Sequence, residues 1–301
     1  MGIAVVLPIP AQLARVGRVL TEHAAIQHLG CTLIVGSVAV DLGHGLFPLN
    51  YSQAVTPDLS IVVPTYNERD RLAELVDAVL TAGGRAGISI EIVIVDDNSP
   101  DGTGALALEL AKTRPIQVVR RAAKLGLGTA VVAGFAVATA PVVGVMDADF
   151  SHPPAMVPAL LAAMKATHAD VVVASRYVPG GSTPDWPWSR RLLSRIGCWL
   201  ARPIAPIRDA ASGFFVIRAD LARNVAIQAG GFKICLELLV RGAPNRVVEI
   251  PYRFDDRELG ESKMSLREAA GYLVQLRDLY WLRIRQPSHR IKHYQQLKRP
   301  N

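Results

Sequence analysis

Asp147 and Asp149, separated only by Ala148, directly follow the apolar run 142–146. Two carboxylates at i and i+2, where a strand ends, can both turn towards one cation. Hard divalent cations such as Mg²⁺ and Mn²⁺ prefer oxygen ligands and usually keep substrate phosphates in their coordination shell. Such a cation neutralises a diphosphate and stabilises it as a leaving group. A pair of this kind also occurs in solvated turns, but its position after a buried strand favours a Mg²⁺ or Mn²⁺ site.

Polar and acidic residues also follow two earlier apolar runs, in the stretches 65–68 and 96–99. Turn formation explains much of the second stretch, but it explains a carboxylate after three separate runs less well. A carboxylate at Asp97 can accept hydrogen bonds from a nucleobase or a ribose. Helix capping by Ser99 or Asp101 is the alternative, and the two roles are compatible.

Glycines in the stretch 124–128 (Lys-Leu-Gly-Leu-Gly) precede a helix rich in Ala and Gly. Glycines at a helix start let the backbone approach a ligand closely, so the stretch is a weak signal for phosphate. It does not match Gly-x-Gly-x-x-Gly, and no dinucleotide fingerprint occurs elsewhere, which argues against an NAD enzyme. Farther along the chain, the stretch 257–263 places Gly260 between cations, as in loops that close over phosphates.

The elements that must position these residues alternate regularly from residue 59 onward. Continuous apolar, β-branched runs predict strands buried on both faces, as in a parallel sheet covered by helices. The predicted strands are 59–64, 90–95, 116–119, 142–146 and 170–174, and the predicted helices are 68–82, 102–112, 127–138 and 154–167. This alternation predicts a doubly wound α/β fold, in which ligands bind beyond the carboxyl ends of the strands.

The segments on either side of this region differ from it in character. Residues 1–57 are punctuated by Pro and Gly, and we interpret them as an N-terminal extension of a catalytic domain at 58–262. The periodicity loosens after the last predicted strand, which predicts longer loops there. Residues 263–301 are predicted to form an amphipathic helix, from residue 264 to 285, and a basic tail, 286–301, that frays.

The composition of the chain indicates which classes of ligand or partner it can bind. The chain has 301 residues, a net charge of +7 and a pI of about 9.5, which favours phosphate-bearing partners. An aromatic fraction of 6% is low for a protein that stacks many bases, so we favour small phosphate ligands or a membrane surface over nucleic acid. The three cysteines form no Cys-x-x-Cys pair, which fits a reducing cytosolic setting. The sequence contains neither His-Glu-x-x-His nor Gly-x-Ser-x-Gly, and we find no apolar run of the roughly 18 residues that a spanning helix needs.

Taken together, these residues resemble the polyprenyl-phosphate mannosyltransferases, the dolichol-phosphate-mannose synthase type of family 2 glycosyltransferases. The matching stretches occur in the family's order over roughly residues 59–265, and the ordered set is far more specific than any one of them. They are 63–68 (Val-Pro-Thr-Tyr-Asn-Glu), 95–103 (Val-Asp-Asp-Asn-Ser-Pro-Asp-Gly-Thr), 124–130, 146–149 with 151–153, 175–178 with 180–181, 212–214, 231–233 with 236–237, and 260–263.

The resemblance implies a GT-A fold, with a single Rossmann-like, mostly parallel sheet flanked by helices. It also implies a nucleotide-sugar donor, most often GDP-mannose, and a membrane-embedded polyprenyl phosphate acceptor. Asp149, Arg176 and Arg257 are implied as catalytic residues. By position, the implied donor contacts are Pro64, Tyr66, Glu68, Val95 and Asp97 for the nucleoside, Ala148 between the metal ligands, and Lys233, Arg257 and Lys263 for the diphosphate. The implied metal ligands are Asp147, Asp149 and Ser151, and the implied contacts of the acceptor phosphate are Arg176, Arg190 and Ser194.

The chemistry of the implied substrates agrees with these residues. A phosphate monoester has a second pKa of about 6, so the attacking oxygen is already anionic at neutral pH and needs no general base. The difficulty lies in bringing two anions together, which a metal on one side and arginines on the other overcome. We therefore expect direct attack on the anomeric carbon of the sugar, with inversion.

The sequence departs from the family pattern in one respect. Many relatives carry transmembrane helices after the catalytic domain, and we find no comparable apolar run here. We expect a peripheral protein at the cytoplasmic face of the membrane, held there by a surface element or by a membrane-embedded protein partner. The helix at 264–285 is a candidate surface element, with ordinary packing on the domain as its alternative. Its predicted apolar face consists of Leu266, Ala269, Ala270, Leu273, Leu276, Tyr280 and Ile284.

Three other functions stay open at this point. Glucosyl transfer from a nucleotide-glucose would use the same scaffold, and no residue fixes the base or the hexose. A non-catalytic binding subunit of such a synthase would carry the same motifs without turnover. Binding of nucleic acid rests on the positive charge alone and predicts a steep dependence on salt.

Overall fold

The computed structural model describes residues 33–35, 38–40, 56–225, 227, 233–255, 266–287 and 290–298, without the side chains of 33–35, 38–40 and 266–268. The chain divides into two units, Met1–Val55 and Thr56–Asn301. In the first unit, the structure describes an antiparallel pair of short strands, β1 (Leu33–Val35) and β2 (Val38–Val40). The predicted boundaries at residues 57 and 262 stay predictions.

The second unit alternates strands and helices along most of its length. Its strands are β3 (Leu59–Thr65), β4 (Ile90–Asp96), β5 (Ile116–Arg120), β6 (Val142–Val145), β7 (Val171–Ser175), β8 (Phe215–Arg218), β9 (Arg246–Pro251) and β10 (His293–Gln296). Its helices are α1 (Arg69–Arg85), α2 (Thr103–Leu110), α3 (Leu127–Val137), α4 (Met156–Thr167), α5 (Trp188–Ala201), α6 (Ala219–Asn224), α7 (Ile234–Arg241) and α8 (Leu266–Arg285).

These eight strands form one sheet in the order β10-β9-β7-β8-β6-β3-β4-β5. All neighbouring pairs are parallel except those of β8, which runs antiparallel to both β6 and β7. The sheet is buried on both faces, because one apolar cluster includes Val62, Val93 and Phe215 and another includes Ile61, Ile94 and Phe214. The predicted mostly parallel α/β sheet is confirmed.

Close packing of α3 on β3 depends on one glycine of the Ala- and Gly-rich helix. A Cβ at Gly134 would lie 2.4 Å from Cγ1 of Val62, which is shorter than any ordinary contact. Because the helix approaches the strand this closely, the residues at its start are held against the carboxyl ends of the central strands.

The region after residue 175 contains the longer loops that the sequence predicts, at 176–187 and 202–214. Its helix of 14 residues, α5, and its antiparallel strand β8 were not predicted. The prediction that the polar tail frays is wrong for its described residues 290–298, where β10 pairs in parallel with β9 at the sheet edge, with Tyr294 opposite Val247. Its side chains alternate between exposed and half-buried, a pattern with too few apolar residues to predict a strand.

The C-terminal helix α8 is present where the amphipathic pattern predicts it, and the residues of its predicted apolar face divide into buried and exposed ones. Leu276 and Leu279 are buried, whereas Leu273 and Ile284 are 58% and 67% exposed. The helix packs on the domain through its buried stripe, and the Tyr272 hydroxyl donates a hydrogen bond to the Gly197 carbonyl of α5 across 2.7 Å. The predicted alternative, packing on the domain, therefore accounts for one side of α8. Among the described residues, no helix combines the length and apolar character needed to cross a bilayer.

Candidate active site

The strand ends at the centre of the sheet share an unusual backbone conformation. Asn67, Asn98 and Phe150 have φ angles of 61°, 58° and 64°, and they follow the ends of β3, β4 and β6. A left-handed conformation in a residue other than glycine costs roughly 1–3 kcal/mol and concentrates at functional sites. The carboxyl ends of these three parallel strands therefore form a rim at which the chain turns sharply, as the sequence predicts.

The predicted metal ligands lie on this rim at the end of β6. Asp149 is buried, and its Oδ1 accepts hydrogen bonds from the backbone N–H of Ser151 (3.1 Å) and from the Ser151 hydroxyl (2.6 Å). The Asp149 carbonyl accepts from Nη1 of Arg71 on α1 at 3.3 Å. The Asp147 side chain is 34% exposed. Asp149 is therefore fixed by the fold, while Asp147 faces the open side of the rim.

The buried imidazole of His152 holds the backbone of Asp147 through a hydrogen bond. Its Nδ1 accepts a hydrogen bond from the Asp147 backbone N–H at 2.9 Å, which places the proton on Nε2, 3.7 Å from Oδ2 of Asp147. The ring stacks on Phe214 with a centroid distance of 4.8 Å. Burial lowers the pKa of His152, so the imidazole is neutral at neutral pH. The sequence contained His152 in a matching motif, but this positioning contact depends on the tertiary fold.

Two aspartates are a suitable donor set for Mg²⁺ or Mn²⁺. Within the described part of the chain, no cluster of three or more His, Cys, Asp or Glu side chains offers a closed protein cage. A site with two carboxylates fits a cation that takes its remaining ligands from substrate phosphates and water. The Ser151 hydroxyl donates to Asp149, and its predicted role as a direct ligand stays a prediction.

The loops after β3 and β4, which carry the predicted nucleoside contacts, are joined by hydrogen bonds. The backbone N–H of Asn67 donates to Oγ of Ser99 at 3.1 Å, and that of Glu68 donates to Oγ1 of Thr103 at 3.0 Å. Asp101 accepts from the N–H of Thr103 at 2.9 Å, so the turn-forming role considered for Asp101 is present. These contacts fix the predicted nucleoside loops relative to each other.

Asp97 is part of a buried ion pair that sequence reasoning missed. Nη1 of Arg121 lies 2.7 Å from Oδ1 of Asp97, and both side chains are 8% exposed. Arg121 also donates to the carbonyl of Gly126 and to Oγ1 of Thr129, at the start of α3. The pair thus links a predicted nucleoside contact to the glycine-containing stretch 124–128. Arg121 follows the carboxyl end of β5, so the rule that selected the other strand ends also selects this residue.

The remaining predicted donor residues lie at or just after the ends of β3, β4 and β6. Pro64 and Val95 are directly opposite each other in the parallel ladder of β3 and β4. Tyr66 is 37% exposed, and Nζ of Lys124 lies 3.8 Å from its ring centroid, within the range of a cation–π contact. Ala148 is buried between the two aspartates.

The predicted acceptor residues form a cluster of arginines and aromatic rings around the end of β7 and α5. The Arg190 guanidinium lies 4.0 Å from the Trp186 ring centroid, and the Arg176 guanidinium lies 5.2 Å from the same ring. The Tyr177 hydroxyl donates to Oγ of Ser194 at 2.7 Å. Arg176, Arg190 and Ser194 therefore lie in one neighbourhood, with Trp186 and Tyr177 as members that sequence reasoning missed.

Lys233 connects the acidic and basic halves of the site. Burial lowers the pKa of Lys233, and the charge of Arg176 lowers it further, whereas the charges of Asp209 and Asp147 raise it. The charges of Asp147 and Arg176 both act on the Lys233 ammonium, so Lys233 lies near both the aspartate pair and the arginine cluster. The other predicted contacts of the diphosphate, Arg257 and Lys263, lie outside the described residues.

A mostly parallel sheet with an acidic pair at the end of a central strand is the arrangement of a GT-A glycosyltransferase, and the comparisons with known proteins agree. The family model described as glycosyl transferase family 2 matches residues 60–235. The chain belongs to this family and is a glycosyltransferase.

The curated relatives are named for a narrower activity. A dolichol-phosphate mannosyltransferase of Pyrococcus furiosus is 41% identical over 71% of this chain and 61% of its own length. A polyprenol monophosphomannose synthase of Mycolicibacterium smegmatis is 40% identical over 69% of this chain and 83% of its own length. The dolichol-phosphate mannosyltransferase of Saccharomyces cerevisiae is 35% identical over 74% of this chain and 87% of its own length. The chain thus spans less than two thirds of the archaeal relative and most of the other two.

Solved structures confirm the fold. A mannosyltransferase from Pyrobaculum calidifontis, in complex with GDP-Man and Mn²⁺, has a TM-score of 0.55 with 17% identity, covering 89% of this chain and 73% of that chain. A glucosyl-3-phosphoglycerate synthase from Mycobacterium tuberculosis, in complex with Mn²⁺ and UDP, has a TM-score of 0.53 with 19% identity. The match covers 75% of this chain and 80% of that chain. The predicted GT-A fold is confirmed.

Proposed function

We propose that this glycosyltransferase moves mannose from GDP-mannose to a polyprenyl phosphate, with inversion at the anomeric carbon. The observation that carries the proposal is the proximity of an acidic pair and a basic cluster: the Phe254 ring lies 6.2 Å from the ring of His152, which supports Asp147, and 5.7 Å from the Arg176 guanidinium. The acidic half suits a cation bound to a diphosphate, and the basic half suits a second phosphate. The names of the relatives, all transferases of mannose to lipid phosphates, support the same substrates.

On the donor side, Asp147 and Asp149 would hold Mg²⁺ or Mn²⁺, which neutralises the diphosphate as it leaves. Lys233, with Arg257 and Lys263, adds positive charge along the diphosphate. The proposed nucleoside contacts are Pro64, Tyr66, Glu68, Val95 and Asp97. The buried position of Asp149 and its hydrogen bonds to Ser151 support this assignment, because a ligand held in one orientation needs no reorganisation during the reaction.

On the acceptor side, Arg176, Arg190 and Ser194 bind and orient the phosphate of the lipid. An oxygen of that phosphate forms a bond to the anomeric carbon while the bond from this carbon to the diphosphate oxygen breaks, and GDP leaves. The attacking oxygen is already anionic, so these side chains hold it in line without removing a proton. The Trp186 ring keeps the guanidinium of Arg190 in place, and the Tyr177 hydroxyl keeps the hydroxyl of Ser194 in place.

The exposed faces of α5 and α8 support a membrane-bound acceptor. On α5, Trp188 and Trp199 are 75% and 63% exposed, and on α8, Trp281 is 57% exposed. The two helices are joined by a hydrogen bond from the Tyr280 hydroxyl to the Leu200 carbonyl. The apolar side chains that they expose are Trp188, Leu192, Leu193, Ile196 and Trp199 on α5 and Leu273, Val274, Trp281 and Ile284 on α8.

We call these nine side chains the apolar face, and we propose that it rests on the lipid surface. Arginines flank it on both helices, which suits anionic headgroups, and tryptophans favour the interface between headgroups and acyl chains. Because α5 carries both this face and Ser194, a lipid phosphate at the membrane surface would reach the acceptor cluster directly. The free, buried thiols of Cys198 and Cys235 fit a reducing compartment, and we place the protein peripherally at the cytoplasmic face.

A donor screen tests the proposal. The protein is incubated with a short-chain polyprenyl phosphate, Mn²⁺ or Mg²⁺, and either GDP-mannose, GDP-glucose or UDP-glucose, and the lipid product is identified by mass spectrometry. We expect a hexosyl lipid with GDP-mannose at a rate at least about tenfold above the other donors. A product from a glucose donor alone supports the glucosyl alternative. Nucleotide binding without any lipid product supports a non-catalytic subunit.

A further inference from the structure

Arg176 is held by a second buried residue, Asp209, that the proposed reaction does not use. Nε and Nη2 of Arg176 lie 2.8 and 2.7 Å from the two carboxylate oxygens of Asp209, and the Arg176 backbone N–H donates to Oδ2 at 2.9 Å. Asp209 is fully buried, and Arg176 is 9% exposed. A two-point contact of this kind fixes the plane of the guanidinium as well as its position.

Asp209 is in turn held by Glu249, a second buried carboxylate on β9. Oε1 of Glu249 accepts from the backbone N–H of Asp209 at 2.9 Å, and Oε2 accepts from that of Arg208 at 2.8 Å. The hydroxyl of Tyr294, on the edge strand β10, donates to Oε2 as well. Burial raises the pKa of Glu249 above its ordinary value, and the charge of Asp209 acts in the same direction. The fold therefore places two carboxylates close together in its interior, an arrangement that hydrophobic packing alone does not require.

The aromatic rings around Arg176 restrict it further. Its guanidinium lies 5.4 Å from the ring of Tyr177, 5.2 Å from that of Trp186 and 5.7 Å from that of Phe254. With Nε and Nη2 engaged by Asp209, the Nη1 edge is the part of the guanidinium that can meet a ligand. The charge of Asp209 also opposes the cost of burial and raises the pKa of Arg176, so the guanidinium stays charged in this apolar setting.

We propose that Asp209 is a positioning residue for Arg176, and that Glu249 and Tyr294 extend this support to the C-terminal strand. The inference rests on the proposed function, in which Arg176 binds the acceptor phosphate. Asp209 does not touch the substrate. It holds the guanidinium in one rotamer, so that the acceptor phosphate meets a preformed donor and pays no ordering cost.

The test measures steady-state kinetics with GDP-mannose and a short-chain polyprenyl phosphate for Arg176→Gln, Asp209→Asn and the double variant. We expect Asp209→Asn to raise the KM for the acceptor about tenfold or more and to change the KM for GDP-mannose less than about twofold. In the Arg176→Gln background, Asp209→Asn should raise the acceptor KM by less than about a further twofold. The effects of two residues that act through one contact are not additive. Tyr294→Phe should raise the acceptor KM about two- to fivefold.

Asp170→Asn is a matched control, because Asp170 is also buried and paired with an arginine, Arg218, at 3.2 Å. It lies at the amino end of β7, at the opposite edge of the sheet from Arg176, and should leave both KM values unchanged. An equal rise in acceptor KM for Asp209→Asn with and without Arg176 would overturn the inference. Should Asp209→Asn fail to fold, Tyr294→Phe decides, and an unchanged acceptor KM in that variant overturns the inference. An unchanged acceptor KM in Arg176→Gln would instead contradict the proposed acceptor site.

Discussion

The backbone N–H of Asp147 donates a hydrogen bond to Nδ1 of His152 across 2.9 Å, with the imidazole almost fully buried. This contact joins the more exposed of the two aspartates to the interior of the domain. It also fixes the tautomer, because a nitrogen that accepts a hydrogen bond carries no proton. Asp147 is therefore positioned through its backbone, and its carboxylate is left available at the rim.

We expect His152→Phe to lower the free energy of unfolding by about 1–3 kcal/mol, because the buried N–H of Asp147 loses its acceptor. His152→Asn should lose less, because the Asn side-chain oxygen can replace Nδ1 as the acceptor. Urea denaturation in the presence of EDTA measures the loss without any contribution from a metal. The control is His168→Asn at an exposed position. Equal stability of His152→Phe and the native protein would show that the contact has no structural value.

Removing one carboxylate of the acidic pair should abolish most turnover without unfolding the protein. We expect Asp149→Asn to reduce the rate of mannosyl transfer by about 100-fold or more, because the cation that would neutralise the leaving diphosphate loses a preorganised carboxylate ligand. The Asn side chain can still accept from Ser151, so the local turn should survive. Asp77→Asn, which breaks an exposed ion pair with Arg114, is the control and should retain full activity. Unchanged turnover in Asp149→Asn would remove the metal site from the mechanism.

The apolar face gives a direct prediction for membrane binding. We expect the double variant Trp188→Gln/Trp199→Gln to bind vesicles that contain phosphatidylglycerol about tenfold more weakly, because two large side chains no longer enter the interface. Leu108→Gln is the control, since Leu108 is 46% exposed on α2, outside the apolar face. Point variants are preferable to deletion of α8, because Leu276 and Leu279 are part of the core. Flotation of the double variant equal to that of the native protein would exclude α5 as a docking element.

The two described cysteines should resist thiol reagents in the folded protein. Burial raises the pKa of the Cys198 thiol to about 12, and burial also raises that of Cys235. At pH 8 the reactive thiolate is therefore scarce, and the reagent cannot reach it. Treatment with iodoacetamide, followed by peptide mass spectrometry, should show both residues unmodified in the native state and modified in urea. Rapid labelling of Cys198 in the native state would show that its region opens.

The sequence predicts the central strands and their polar ends well because a parallel sheet imposes a simple pattern. A strand buried on both faces is a continuous apolar run, and the residues after it must be at the rim. The rule predicts the position of Asp97, Asp147 and Asp149 from local sequence alone. Applied to β5, it would also have identified Arg121.

The rest of the site depends on contacts between residues far apart in the chain. Asp209 approaches Arg176 only because β8 and the loop before it lie beside β7. Tyr294 reaches Glu249 only because β10 joins the sheet edge, and its short polar sequence contains no strand signal. For the same reason, the apolar periodicity of α8 predicted a helix but placed the buried Leu276 and the exposed Leu273 on one face, because burial depends on the neighbours that the helix meets.

The stereochemistry of the lipid product tests the central claim most directly. The anomeric configuration of the sugar phosphate formed from GDP-α-mannose and a short-chain polyprenyl phosphate is measured by NMR. Direct attack by the acceptor phosphate predicts a β-linked mannosyl phosphate. An α-linked product, or no sugar on the lipid at all, would contradict the account.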